Sequence, residues 1–316
     1  MKIKSIPKFL KYFSPTDFIV LIFYLFLTIS NLIFSSKIEY WYLIVLANLL
    51  LFGFITFLSR KDAEISNSFW KNLHYWYVLP LVFFTFKEIN IIIRIIHSVD
   101  YDWLLISADK FTLGNVPSVI LMKYANPVLT EILQISYSSF FFLPVILGLE
   151  MQLKNRPEEL KFAIFTIIYG FLLSYIGYLF LPAVGPRFTL HNFEQTNAEL
   201  PGLFITNFLR EVINSGESIP SGTLNPIQVV QRDVFPSGHT QMTLLVMYLA
   251  FRFKSSFKIV FLVIGLLLIF ATVYLRYHYF IDLIGGLAFM LFTILTNKKL
   301  YNWWQSKIGG TLFEYK

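Results

Sequence analysis

The stretches Phe235-Pro236-Ser237-Gly238-His239-Thr240 and Arg276-Tyr277-His278-Tyr279-Phe280-Ile281-Asp282 bracket two apolar runs, near 238–254 and 258–276. Between the runs lies a short basic turn with Arg252, Lys254 and Lys258. At about 1.5 Å of rise per residue, each run covers most of a bilayer as a helix. Two such helices go across and come back. His239 and His278 are therefore expected together at one membrane face, with the basic turn at the other.

Working outward, the same reading gives eight spans, near 17–35, 40–59, 75–97, 127–150, 161–182, 238–254, 258–276 and 279–297. The chain is 56% hydrophobic and 14% charged, against about 25% charged in soluble domains. A soluble α/β core would need shorter apolar runs. The expected fold is an all-α, polytopic membrane bundle: a six-helix core over 75–297, an N-terminal hairpin with its cytoplasmic loop over 1–74, and a tail over 298–316. Residues 183–237 form a long polar outer loop, and residues 98–126, with Asp100, Asp102 and Asp109 among aromatics, are expected on the outer interface. The first run is too long for a signal-peptide core, and no small-residue cleavage site follows it.

Most of the 26 lysines and arginines fall in alternate segments, including Lys2, Lys4, Lys8 and Lys11 at the start and Lys298, Lys299, Lys307 and Lys316 at the end. The positive-inside rule then places both termini in the cytoplasm and the histidine pair outside, on the periplasmic side of a bacterial cytoplasmic membrane. This dispersal explains the net charge of +7 better than nucleic-acid binding does. With no cysteine, thiolate nucleophiles and thiolate metal sites are excluded.

Arg187, after Pro182-Ala183-Val184-Gly185-Pro186, emerges at the same outer layer. Its guanidinium can grip phosphate oxygens in pairs. Ser237 and Gly238 open a helix whose positive end favours an anion. His278 and Asp282 are four apart and share a helix face, so the carboxylate can orient the imidazole for attack on phosphorus. His239 is suited to protonate the leaving alkoxide. His74 and His97 are read as interfacial anchors, and His191 as a solvated loop residue.

At these residues the chain resembles the type 2 phosphatidic acid phosphatase superfamily. Pro236 to His239 match its Pro-Ser-Gly-His motif, and His278 with Asp282 match the end of its third motif. The resemblance implies a metal-independent reaction without cofactor, with His278 as nucleophile, His239 as general acid, and a phosphohistidine intermediate. The expected substrate is a phospholipid or isoprenoid phosphate. Departures are informative: Phe180 stands where the family's first motif has Lys, Phe188 follows Arg187, and Ala271 and Thr272 replace the third motif's Ser and Arg. Arg276, one turn beyond Thr272, is the expected replacement phosphate ligand. Gly185-Pro186-Arg187 and the run from His278 to Gly286 look like the subgroup containing inositol phosphorylceramide synthases, which transfer a phosphorylated head group to a lipid alcohol.

Lys87, Asn90 and Arg94 share one face of the third span, with Glu88 and Glu131 as candidate partners; Arg94 could extend the phosphate site. Such charges could also serve a transporter, but transport calls for polar residues near the bilayer midplane. The densest cluster here lies at the outer helix ends instead.

Overall fold

The computed structural model describes residues 7–65 and 67–315; Lys2, Lys4 and Lys316 of the basic flanks lie outside these. The described residues are helical and carry no strand. In chain order the α-helices are α1 (Pro15–Ile33), α2 (Trp41–Glu64), α3 (Ser68–Trp76), α4 (Val78–Ile96), α5 (Asp102–Leu113), α6 (Pro117–Leu121), α7 (Pro127–Ser138) and α8 (Phe142–Leu153). Then follow α9 (Pro157–Tyr178), α10 (Pro186–Thr189), α11 (Thr196–Glu199), α12 (Thr206–Gly216), α13 (Pro226–Val229), α14 (Gly238–Arg252), α15 (Lys258–Tyr274) and α16 (Phe280–Ile308).

Every run read as a span is helical, yet only α1, α2, α9 and α16 are long and apolar enough to cross alone. Two bent pairs raise the number to six if each is one span: α5 with Pro117–Tyr124, bent by 71°, and α7 with α8, bent by 53°. The expected eight is higher for physical reasons. Helix α4 carries Lys87, Glu88 and Arg94 within 19 residues, while α14 and α15 have 15 and 17 residues. The segment expected on the outer interface supplies the first bent pair.

The chain divides into two compact units. One comprises Met1–Ile96, Met151–Leu172 and Phe292–Lys316. Here α1 begins with a capping box: Asp17 N donates to Ser14 Oγ, and Ser14 N to Asp17 Oδ2. Pro15 occupies the first turn, where its missing N–H costs nothing. The fully buried Asp17 also accepts from Tyr77 Oη at 2.7 Å and pairs with His74 Nε2 at 2.9 Å. His74 Nδ1 lies 2.8 Å from Asp62. His74 is thus the centre of an ion cluster rather than an interfacial anchor. Burial opposes its charge, but Asp17 and Asp62 prevail and hold its pKa up at about 10. Farther along, Glu88 Oε1 accepts from the amides of Asn31 (2.7 Å) and Asn48 (2.8 Å), tying α1, α2 and α4 together.

The other unit comprises His97–Glu150 and Leu173–Leu291. Its frame is the α14–α15 hairpin. Glu150 fixes the turn between these helices, accepting from Ser256 N at 2.7 Å and from the Ser255 hydroxyl. Ser237 caps α14, accepting from Thr240 N at 3.2 Å. The long loop is folded into the short helices α10 to α13. Glu131 anchors it, accepting from Leu203 N, Phe204 N, Ile205 N and Thr206 Oγ1. Successive free N–H groups at a helix start suit a buried carboxylate.

Candidate active site

The hairpin brings His239 and His278 together at its open end, with ring centroids 5.7 Å apart. Each ring is held by a different device. His239, in the first turn of α14, stacks on Tyr137 of α7 at 4.5 Å and packs against Phe140 at 4.3 Å. Tyr137 stacks in turn on Tyr277 at 4.3 Å, and the Arg187 guanidinium lies 4.8 Å from the Tyr277 ring. Arg187, Tyr277, Tyr137 and His239 thus form one column. Such stacking fixes ring orientation and adds cation–π attraction at the arginine end.

His278 is buried, and its Nδ1 lies 2.9 Å from the Val234 carbonyl oxygen. A carbonyl can only accept, so Nδ1 carries the proton and Nε2 keeps its lone pair. The expected partner, Asp282, is 3.5 Å from Nδ1, beyond a good hydrogen bond. Asp282 instead accepts from Tyr279 N at 2.7 Å, and its backbone carbonyl accepts from Ser237 N at 3.0 Å. It thereby ties the His278 turn to the start of α14, and orients His278 through the backbone more than by direct contact. Burial pushes the His278 pKa down to about 4, against the pull of the Asp233 carboxylate and the Val234 carbonyl, so the ring is neutral at pH 7.

Both expected phosphate arginines are present and buried. Arg276 has a φ of +69°, a left-handed conformation unfavourable for a side-chain-bearing residue, and such strain gathers at functional sites. Its Nη1 pairs with Glu199, while Nε and Nη2 are buried with no hydrogen-bond partner. Arg187 pairs with Glu217 and donates to Asn214 Oδ1 at 3.2 Å, and its buried Nε has no hydrogen-bond partner. Arg187 N donates to Arg276 O at 3.0 Å, which locks the two arginines side by side. The site therefore holds two guanidinium groups with donors unspent.

The two motif glycines serve close approach. A Cβ on Gly238 would sit 2.4 Å from the Tyr178 hydroxyl. Gly185 has a φ of +91°, and a Cβ there would meet the Tyr277 carbonyl oxygen at 2.7 Å. Ser237 Oγ serves as the cap of α14, so the anion-facing donors left to this helix start are backbone groups. Arg94 belongs to the first compact unit.

Several residues that build the site escaped sequence reasoning. Asp102 accepts from Gly185 N (2.8 Å), Val184 N (3.0 Å) and Tyr279 Oη (2.8 Å), clamping the Arg187 turn to the His278 turn. Asp109 accepts from Phe280 N and Ile281 N, capping α16. Their spacing of seven puts both on one face of α5, the one available signal. The remaining expected bystanders are satisfied locally: His97 Nε2 bonds Leu179 O at 2.8 Å, and His191 Nε2 lies 3.3 Å from Ser118 Oγ.

The sequence can be placed beside known proteins through this site. A family model described as the PAP2 superfamily matches residues 103–296, well over half of the chain. A PA-phosphatase related-family protein of Dictyostelium discoideum is 27% identical over 194 residues, covering 55% of this chain and 33% of that protein. The chain thus spans about one third of that relative's length. No solved structure matches. With the family model spanning the segments that carry Arg187, His239 and His278, the chain belongs to the PAP2 superfamily.

Proposed function

We propose that this protein is a membrane-embedded phosphatase acting on lipid phosphates or diphosphates through a phosphohistidine at His278, on the outer face of a bacterial cytoplasmic membrane. The observation that carries the reading is the tautomer of His278. With Nδ1 spent on the Val234 carbonyl, Nε2 has a free lone pair 5.7 Å, ring to ring, from a second imidazole. Nε2 attacks phosphorus while the ester P–O bond breaks, and the departing alkoxide takes a proton from His239. Arg187 and Arg276 meet the charge on the phosphoryl oxygens. Water then attacks the phosphorus, His239 recovers a proton, and the N–P bond breaks to release phosphate. Asp282 positions His278 through the Tyr279 amide. Ser237 and Gly238 set the start of α14 against the phosphate. No step requires a metal or organic cofactor.

A second reading, transfer to a lipid alcohol instead of water, rests on Gly185-Pro186-Arg187 and the His278–Gly286 sequence. Both share the first half-reaction. Incubating the purified protein with labelled lipid phosphate, with and without acceptor alcohols, separates them. Release of inorganic phosphate without acceptor supports hydrolysis; product that forms only with acceptor overturns it.

A further inference from the structure

Helix α12 belongs to the loop that reads as polar in the sequence, yet it has three unlike sides. One side is held to α7: Thr206 and Arg210 are buried, and Ile213 packs on the cluster that contains Leu133 and Tyr137. A second side, with Asn207, Glu211 and Asn214 at the spacing of one helix face, lines a cavity of about 160 Å³ beside Arg187. The third side is apolar and bare. Phe208 and Val212, four apart, are 64% and 54% exposed, and Phe204, just before the helix, is 89% exposed. Single apolar residues on a surface need no explanation, but a row of them along one helix does.

What covers this row follows from what it adjoins. Glu131 of α7 accepts from Phe204 N at 3.2 Å and from Ile205 N at 2.8 Å, so the row starts against α7. There α7 is bare as well: Val128, Ile132 and Ile135 are exposed and share one side of the helix, with Glu131 flanking it. Helices α7 and α8 form one of the bent pairs apolar enough to be a span. The exposed side of α7 therefore meets acyl chains, and the bare side of α12 continues that surface. Length then sets how α12 can lie. Its 11 residues reach about 16 Å, half of the roughly 30 Å of hydrocarbon. A helix that short cannot cross, and one with an apolar side opposite polar groups suits the plane of the interface.

We propose that α12 is seated in the leaflet on the His239 side of the bilayer, with Phe204, Phe208 and Val212 among the acyl chains and Asn207 and Glu211 turned away from them. The inference needs only that the chain lies in a membrane, and it holds whatever reaction the histidines perform. Asn214, near the far end of the same helix, accepts from Arg187 Nη1 at 3.2 Å. The leaflet thus supports one wall of the cavity beside Arg187, and this part of the loop is a membrane anchor rather than a water-borne connection.

The chain has no cysteine, so single introduced cysteines in the full chain can carry a nitroxide label without background. The labelled protein is reconstituted into phosphatidylcholine vesicles, and collision of the label is measured with oxygen, which concentrates among acyl chains, and with a nickel chelate, which stays in water. Labels at Phe208→Cys and Val212→Cys are expected to show an oxygen-to-nickel ratio about tenfold above labels at Asn207→Cys and Glu211→Cys. Adding Phe204→Ser and Phe208→Ser to Val212→Cys should bring its ratio down toward that of the polar side. Equal ratios on the two sides would overturn the proposal by placing α12 in water. Low collision with both reagents at 208 and 212 would overturn it too, because a second protein surface, such as another copy of the chain, would then cover the row. If Phe208→Cys does not fold, Phe204→Cys and Val212→Cys carry the same expectation.

Discussion

Asp102 offers a sharp test of how the site is held, because one carboxylate serves three donors on two turns. Oδ1 accepts from Gly185 N and Tyr279 Oη, and Oδ2 from Val184 N. In Asp102→Asn the amide oxygen can keep the first pair, but the NH2 group then faces Val184 N, donor against donor. One orphaned buried donor costs about 1–3 kcal/mol, and weakening two charge-assisted bonds to neutral ones adds about 1 kcal/mol. The expected loss is about 2–4 kcal/mol, or roughly 4–16 °C in melting temperature. Gly185 leads into Arg187 and Tyr279 follows His278, so the same change loosens both turns of the proposed site. A misplacement near 1 Å costs on the order of a hundredfold in rate. The measurements are melting in detergent and turnover of a lipid phosphate. An Asp102→Asn protein that melts like wild type and retains turnover within twofold would refute the clamp. Asp102→Ala orphans all three donors, about 3–9 kcal/mol in total, and is expected not to accumulate.

Other substitutions probe the remaining parts. Glu217→Gln removes the carboxylate that a substrate phosphate must displace from Arg187, so orthophosphate should inhibit about tenfold more tightly, or ~1.4 kcal/mol; an unchanged inhibition constant would show that Glu217 does not compete. Replacing His239 with Ala should cost about 10²–10⁴-fold on alkyl phosphates but under about tenfold on nitrophenyl phosphate, whose leaving group needs no proton; equal losses would remove its role as acid. In the first unit, His74→Ala leaves the buried Asp17 without its cation, for a loss of about 3–5 kcal/mol. Because the folded pKa of His74 is raised to about 10 from 6.5, its stabilisation is complete below about pH 6.5 and is lost as pH rises toward 10. Melting temperature should therefore fall over that interval in wild type and do so less in His74→Ala, and parallel profiles would contradict the assignment.

The features legible in the sequence were those fixed by length and periodicity. Two apolar runs of nearly bilayer length force His239 and His278 to one end, and no side-chain detail is needed to see it. The number of crossings was less legible. Bent pairs and the charged face of α4 break the correspondence between apolar run and span. The carbonyl of Val234 could not have been foreseen, because a backbone acceptor leaves no residue signature; the four-residue spacing pointed to Asp282 instead. Asp102 and Asp109 lay among aromatics, a composition that also suits a membrane interface, and only the partners in folded turns distinguish a clamp from a solvated acid. Glu199 and Glu217 sit in a loop without periodicity, so their pairing with Arg276 and Arg187 depends wholly on tertiary placement.

The central claim is that His278 becomes phosphorylated during turnover. Its most direct test is to mix the protein with a lipid phosphate carrying labelled phosphorus, quench in alkali within the first turnover, and map the label by mass spectrometry. A phosphoramidate survives base and is lost in acid. The expected result is base-stable, acid-labile label on His278, absent from His278→Ala. Label on another residue, or wild-type turnover with no labelled histidine at any quench time, would contradict the account.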